Sequence, residues 1–296
     1  MPESLKVLRR RVRTVKSTKQ ITRAMEMVSA AKLRRAQSVL LAGRPYAARL
    51  QKLLAQLASG AAVEGHPLFA AREERRATLV VFTADRGLCG AFNSNLIRLA
   101  EQTLRKNGGR VWELVCIGKR GADYFRRRGL TIVRTIQDTG GRPDVDLARE
   151  LSDELLERFS SGRTDAVHFC YPAFVTLAIN RPTVSKFLSL DAESLAESAG
   201  GRSAEAPSPA REIDYILEPS PERVFNSLLP RYLTSRVYIT LAELFTSEHS
   251  ARMIAMNNAT KNCDELGDSM TIRLNKARQA QITGELIDIV GGAQAV

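Results

Sequence analysis

The residues best placed to do chemistry lie in Thr83-Ala-Asp-Arg-Gly-Leu-Cys-Gly90 and the Ala91-Phe-Asn-Ser-Asn95 that follows. A β-forming run, Leu79-Val80-Val81-Phe82, leads in, and a helical pattern from Leu96 to Leu104 leads out. Many phosphate sites begin with a strand, a glycine turn and a helix, because a helix N-terminus offers unpaired amides to an anion. Cys89 beside the turn is a candidate nucleophile. The spacing falls short on both counts. Gly87-Leu88-Cys89-Gly90 supplies two of the three glycines of GxGxxG, and GxxxxGK[ST] does not occur. Neither a GxSxG elbow nor HExxH is present. His66, His168 and His249 stand apart from one another, and none neighbours Cys89, so no triad is indicated. Cys89, Cys116, Cys170 and Cys263 form no CxxC and no Cys/His cluster, which leaves zinc without a ligand set. The stretch therefore reads as a fold corner whose glycines, Gly87 among them, let the backbone turn with positive φ. No catalytic, cofactor-binding or metal site is expected in the chain itself.

The elements around that corner alternate. Short β-branched runs near 79–83, 111–117, 130–136, 165–171 and 182–190 are separated by helical patterns near 91–106, 119–127 and 145–160. Such βαβ alternation implies a mostly parallel sheet with helices on its faces, here over residues 75–190. Apolar neighbours mark Cys116 and Cys170 as small buried hydrophobes in a reduced, cytoplasmic-side protein. Residues 191–212, rich in Ala, Ser, Gly and Pro, read as a flexible loop.

Long helices flank this domain. Over residues 1–60, apolar residues at Leu5, Leu8, Val12 and Val15, then Ile21, Met25 and Val28, follow three- and four-residue steps with one six-residue gap that shifts the stripe. At 1.5 Å per residue this helix spans about 80 Å, with a kink or brief break expected at Gly43-Arg44-Pro45. Over residues 213–296, Ser220 suits an N-cap and Pro221 the first helical position. The pattern then runs from Val237 through Leu241, Leu244, Ala251, Ala255, Ala259, Cys263, Leu266, Met270 and Leu274 to Ala277, some 105 Å of helix, with Pro230 inside it. Helical runs of this length, with no stop signal that divides them, indicate a coiled coil. A domain inserted between them lets the two ends pair antiparallel. The C-terminal helix is the longer, so Ile282, Leu286, Ile289 and Val290 should overhang and need a sheath. The expected architecture is α/β: a long antiparallel coiled coil of N- and C-terminal helices with an inserted Rossmann-like domain.

The net charge of +12 is uneven. Residues 1–36 hold eleven Lys and Arg against Glu3 and Glu26, whereas residues 221–296 hold eight acids and eight bases. Pairing of the two segments leaves the N-terminal excess uncancelled, which points to a solvated basic face or to an acidic partner. A nucleic-acid partner fits the charge, giving the alternative of a basic coiled-coil nucleic-acid binder. Against it, aromatics are only 6% and none interleave with the basic run. Nothing approaches the roughly 18 apolar residues of a membrane span. Residues 1–23, basic and Ser/Thr-rich with one acid, have the composition of a mitochondrial transit peptide.

Four stretches in order carry a family resemblance: Ile21-Thr-Arg-Ala-Met-Glu-Met-Val-Ser-Ala-Ala-Lys-Leu-Arg-Arg-Ala-Gln37, Thr83–Gly90, Ser247-Glu-His-Ser-Ala-Arg-Met-Ile-Ala-Met256 and Asn275-Lys-Ala-Arg-Gln-Ala-Gln-Ile-Thr283. Together they resemble the γ subunit of bacterial F-type ATP synthases. The likeness runs from about Leu5 to the end, which leaves no room for a presequence and implies a bacterial source. It implies a rotor shaft that is non-catalytic alone and turns inside a ring of three α and three β subunits. Its foot would stand on the c-ring, with ε beside it and δ in the same complex, at the cytoplasmic face of the cell membrane, and no nucleic acid would be bound. Arg278 and Gln279 resemble residues that contact a β loop, with Thr283 and Glu285 as neighbours of that contact. Met25 and Arg252 resemble residues facing a lower β loop. Tyr215 and Lys32 resemble foot residues near the c-ring. No cysteine falls in 191–212, so no thiol switch is expected there.

Overall fold

The computed structural model describes residues 4–58, 66, 68–69, 72–190, 218 and 220–294, the side chains of 288 and 291–294 excepted. The 191–212 loop and Tyr215 lie outside the described residues. In chain order the elements are α1 (Leu5–Ala58), β1 (Arg76–Phe82), α2 (Phe92–Lys106), β2 (Val111–Ile117), α3 (Lys119–Arg127), β3 (Ile132–Ile136), α4 (Val145–Ser160), β4 (Ala166–Phe174), β5 (Asn180–Leu188) and α5 (Pro221–Gln294). The chain divides into two compact units, Met1–Ala31 with Arg252–Val296, and Lys32–Ala251.

Within the larger unit the five strands lie in the order β3-β2-β1-β4-β5. The first four pair in parallel and β4 with β5 antiparallel. β1 is buried on both faces from Ala77 to Phe82, which explains why it is a continuous apolar run without alternation. Phe169 stacks on Phe187 at 4.2 Å and meets Phe82 edge-on at 5.2 Å, filling the core beside β4. Cys116 and Cys170 are fully buried, and burial pushes both thiols up to about 12. They pack as apolar side chains and are not nucleophiles.

Helix ends follow their local chemistry. Asp144 caps α4 by accepting from the amides of Asp146 (2.8 Å) and Leu147 (3.5 Å). Ser220 accepts from the Arg223 amide at 3.3 Å, with Pro221 next to it as the first residue of α5. Of the kink or brief break expected at Gly43-Arg44-Pro45, the break does not occur: α1 is one helix with Pro45 inside it, and Pro230 likewise lies inside α5. Packing outweighs the amide each proline lacks. Leu40 and Ala242 are fully buried together, and a Cβ on Gly43 would stand 2.8 Å from Ile239 Cδ1. The helices approach closely there because Gly43 has no side chain.

One polar knot ties the approach to β1 onto the sheet. Glu74 pairs with Arg110 (2.5 Å), Lys186 (3.1 Å) and His168 (3.4 Å), and the Trp112 ring lies 5.7 Å from His168. Burial alone would raise the Glu74 carboxyl. The Lys186 hydrogen bond and the charges of Lys186, His168 and Arg110 outweigh it, and the carboxyl sits below its ordinary value. For His168 burial dominates and lowers the imidazole below 6.5, against the pull of Glu74. Both folded values are depressed, so both groups contribute stability that is present at neutral pH and lost in acid. The melting temperature should fall between pH 7.5 and pH 5, and His168→Gln should shrink that fall. An equal fall in both proteins would remove His168 from the effect.

The smaller unit is an antiparallel helix pair. Glu26 Oε1 accepts from Asn257 Nδ2 at 2.9 Å, Thr260 Oγ1 donates to Thr22 Oγ1 at 2.8 Å, and Lys19 pairs with Asp264. A Cβ on Gly267 would meet Val15 at 3.7 Å. The partner numbers add to 282 or 283 each time, which fixes the register. The seam differs from the expected apolar stripe. Thr22 and Ser29 are buried, while Ile21 and Val28 are each 57% exposed. The six-residue gap after Val15 turns the later apolar positions outward, and short polar side chains take the seam.

Candidate functional site

The loop after β1 is closed by its own hydrogen bonds. Thr83 Oγ1 donates to Ile117 O (3.0 Å) and accepts from Gly121 N (2.9 Å). Asp85 Oδ1 accepts from Lys119 N (2.9 Å), and Ala84 O from Arg120 N (3.2 Å). The Lys119, Arg120 and Gly121 amides at the start of α3 are thus taken by this loop and fasten it to the end of β2. Cys89 is buried, its sulfur accepting from Asn93 Nδ2 at 3.3 Å. An inward-facing sulfur joined to an amide side chain is a packing element. The left-handed positions are Leu88 (φ 63°) and Gly90 (φ 60°), not Gly87. Gly87 is instead constrained by Arg120, whose Nη2 would lie 2.9 Å from an added Cβ. Among the described residues no cluster of His, Cys, Asp and Glu could hold a metal.

What the chain presents outward is helix surface. By the register of the smaller unit, α1 runs out where Leu5 faces residues 277–278 of α5. The helix continues to Gln294, so about 16 residues, some 24 Å, have no partner from the described part of α1. Ile282, Leu286, Ile289 and Val290 there are 50–67% exposed, as the sequence led one to expect. At 100° per residue these four fall within an arc of about 100°. Arg278 and Glu285 border one edge of the arc, Thr283 borders the other, and Gln279 lies within it. All four polar residues are exposed, and Glu285 accepts from Gln281 Nε2 at 2.8 Å. A greasy stripe edged by one cation, one carboxylate and two neutral polar groups is a protein-docking surface in composition.

Met25 is half-buried, and the register sets it opposite residues 257–258, about 30 Å along the axis from Arg278. The structure does not bring the two groups together. Arg252 is half-buried and Lys32 exposed. The outward apolar face of α1 at Ile21 and Val28, with Met27 exposed about 100° round from Val28, was missed as a surface by reading the apolar stripe as the seam. The six-residue gap was the available signal. The basic excess stays outward: Arg9, Arg10, Arg13 and Lys16 are exposed.

Comparison with known proteins bears on the whole chain. A family model described as ATP synthase matches residues 4–296. The ATP synthase gamma chain of Moorella thermoacetica is 45% identical over 289 residues, 98% of each chain. That of Pelotomaculum thermopropionicum is 42% identical over 293 residues, 99% of each. Among solved structures, a chain of the Euglena gracilis mitochondrial ATP synthase assembly of OSCP, F1 and c-ring superposes with a TM-score of 0.65 at 20% identity, covering 98% of this chain and 94% of that one. A chain of the Tetrahymena thermophila mitochondrial ATP synthase central stalk and c-ring gives 0.60 at 24% identity, covering 81% and 99%. At these identities the two structures speak to the fold alone.

Proposed function

This chain belongs to the ATP synthase gamma chain family, and we propose from that premise that it is the central rotor shaft of an F-type ATP synthase. It couples ion-driven rotation of a membrane c-ring to ATP synthesis and hydrolysis at β subunits, and is non-catalytic by itself. Residues 1–60 and 213–296 are assigned to the shaft and 75–190 to the α/β domain. The observation that carries the reading is the uncovered end of α5: exposed aliphatic residues on a lone helix need a sheath, and a ring of α and β subunits is one. Arg278, Gln279, Thr283 and Glu285 are assigned to the β-subunit contact at that end, since all four are exposed beside the apolar stripe. Met25 and Arg252 are assigned to a lower β contact, supported by the outward apolar face of α1 near Met25. Lys32 and Tyr215 are assigned to the foot near the c-ring, with ε beside it. The exposed cations near the start of α1 suit acidic loops on β. Among the described residues no helix is long and apolar enough to cross a membrane, in keeping with a peripheral subunit held at the cytoplasmic face of a bacterial membrane by its partners. Tagged chain expressed with the other subunits should co-purify with three α and three β per copy, with ε retained. Recovery of the chain alone under those conditions would count against the reading.

A further inference from the structure

Strand order reverses between β1 and β4, and in open α/β sheets ligands settle outside the carboxyl ends of the strands at that point. Here the gap is filled by the protein's own long helices. Pairing of β1 with β4 ends at Val81 and Cys170, while β4 continues to Phe174. Val175 N bonds to Ile179 O, so odd-numbered positions face β5, and the Pro172 and Phe174 carbonyls face the side that β1 has left. The cross-strand pair Pro172–Pro182 fits this, since neither proline has an amide to offer its partner. Ser247 Oγ of α5 donates to Pro172 O at 3.4 Å. Arg44 Nη2 of α1 donates to Phe174 O at 3.0 Å and is held by buried Glu243 at 3.1 Å.

Two loops at the same end of the sheet are taken the same way. Ser250 Oγ donates to Leu177 O in the β4–β5 turn, and His249 Nε2 lies 3.0 Å from Gly141 O in the β3–α4 loop. A carbonyl only accepts, so that nitrogen carries the proton. Gly141 has φ 71°, and a Cβ there would stand 3.2 Å from His249 Cε1, so the loop comes this close only as glycine. Thr246 to Ser250 are all buried, which is unusual for five consecutive polar residues of a helix. Around the axis Ser247, His249 and Ser250 project about 200° and 100° apart, in three directions. Turning α5 about its axis would break all three bonds together.

We infer that the crevice at the carboxyl end of the sheet, a ligand site in other open α/β folds, is given over to gripping α5. Ser247, His249 and Ser250 form an angular key through which turning force passes between the sheet and that helix. They are positioning residues, and the inference rests on the shaft reading. The test uses the assembled membrane complex and compares ions pumped per ATP hydrolysed. The double variant Ser247→Ala/Ser250→Ala should lower that ratio at least threefold. His249→Phe should lower it too, and His249→Gln, whose amide still donates, should hold it near normal. Thr246→Val is the control: Thr246 is as buried but donates to Ala242 O of its own helix at 2.7 Å, so its loss should reduce thermal stability and leave the ratio alone. If the double variant does not assemble, the single variants Ser247→Ala and Ser250→Ala carry the same readout. An unchanged ratio in the key variants, or an equal drop with Thr246→Val, overturns the key. Failure of the unaltered chain to join α and β, or to support ATP-driven pumping, would instead overturn the shaft reading.

Discussion

Gly118→Ala is expected to leave little folded chain. Gly118 has φ 90°, and a Cβ there would lie 2.1 Å from Thr83 O and 2.6 Å from the Thr83 carbonyl carbon. Both are backbone atoms. Neither can retreat: Thr83 N bonds to Ile117 O (2.8 Å), Thr83 Oγ1 to Ile117 O and Gly121 N, and Gly118 N to Ile136 O (2.8 Å). Left-handed strain alone costs on the order of 1–3 kcal/mol, and the clash adds to it, against a typical stability of about 5–15 kcal/mol. At about 2–4 °C per kcal/mol, the melting temperature should drop by about 10 °C or more, with most of the chain insoluble. Two other glycines calibrate the result. Gly90→Ala, at φ 60°, should cost about 1 kcal/mol. Gly87→Ala should cost least, because the Arg120 guanidinium it meets is the end of a flexible side chain. If Gly87→Ala proves the most harmful, or Gly118→Ala melts within a degree or two of normal, the corner is built differently.

Truncation after Lys276 is expected to cripple assembly and leave the α/β unit intact. It removes Ile282, Leu286, Ile289 and Val290, all largely exposed in the chain alone. Each contributes up to about 2 kcal/mol if a partner buries it fully. A net loss of even 3 kcal/mol weakens association about a hundredfold. The melting transition of the sheet should stay in place, since nothing beyond Ala251 belongs to its unit. Ile282→Ser/Leu286→Ser/Ile289→Ser should reproduce most of the defect without shortening the helix, separating apolarity from length. A truncated chain that assembles and turns over at the normal rate would remove the bearing role from this end.

The central domain was largely legible in sequence. β2, α3 and α4 lie where their patterns put them, because each is bounded by strong local chemistry: Asp144 at the start of α4, Gly118 between β2 and α3. The exposed end of α5 was legible because its apolar residues outnumber any partner α1 can supply. The seam of the smaller unit was not. Ile21 and Val28 have the spacing of a seam, and which face of a helix turns inward is set by the partner's shape. Gly87 was misassigned for a related reason: the left-handed step falls on Leu88 and Gly90, a choice made by the contacts that close the loop. The burial of Thr246–Ser250 has no local signal in the sequence, because the carbonyls that meet this turn arrive from residues 70 to 110 positions away.

The shaft reading is tested most directly by watching the chain turn. Arg127, exposed near the end of α3, is replaced by cysteine, and Cys263, the native cysteine that is not fully buried, by serine. A visible probe is bonded to the new thiol in a complex whose α and β subunits are fixed to glass. On addition of ATP the probe should revolve in one direction with three equally spaced pauses per turn, and stop when ATP is removed. A probe that stays still while the same complexes hydrolyse ATP would contradict the reading.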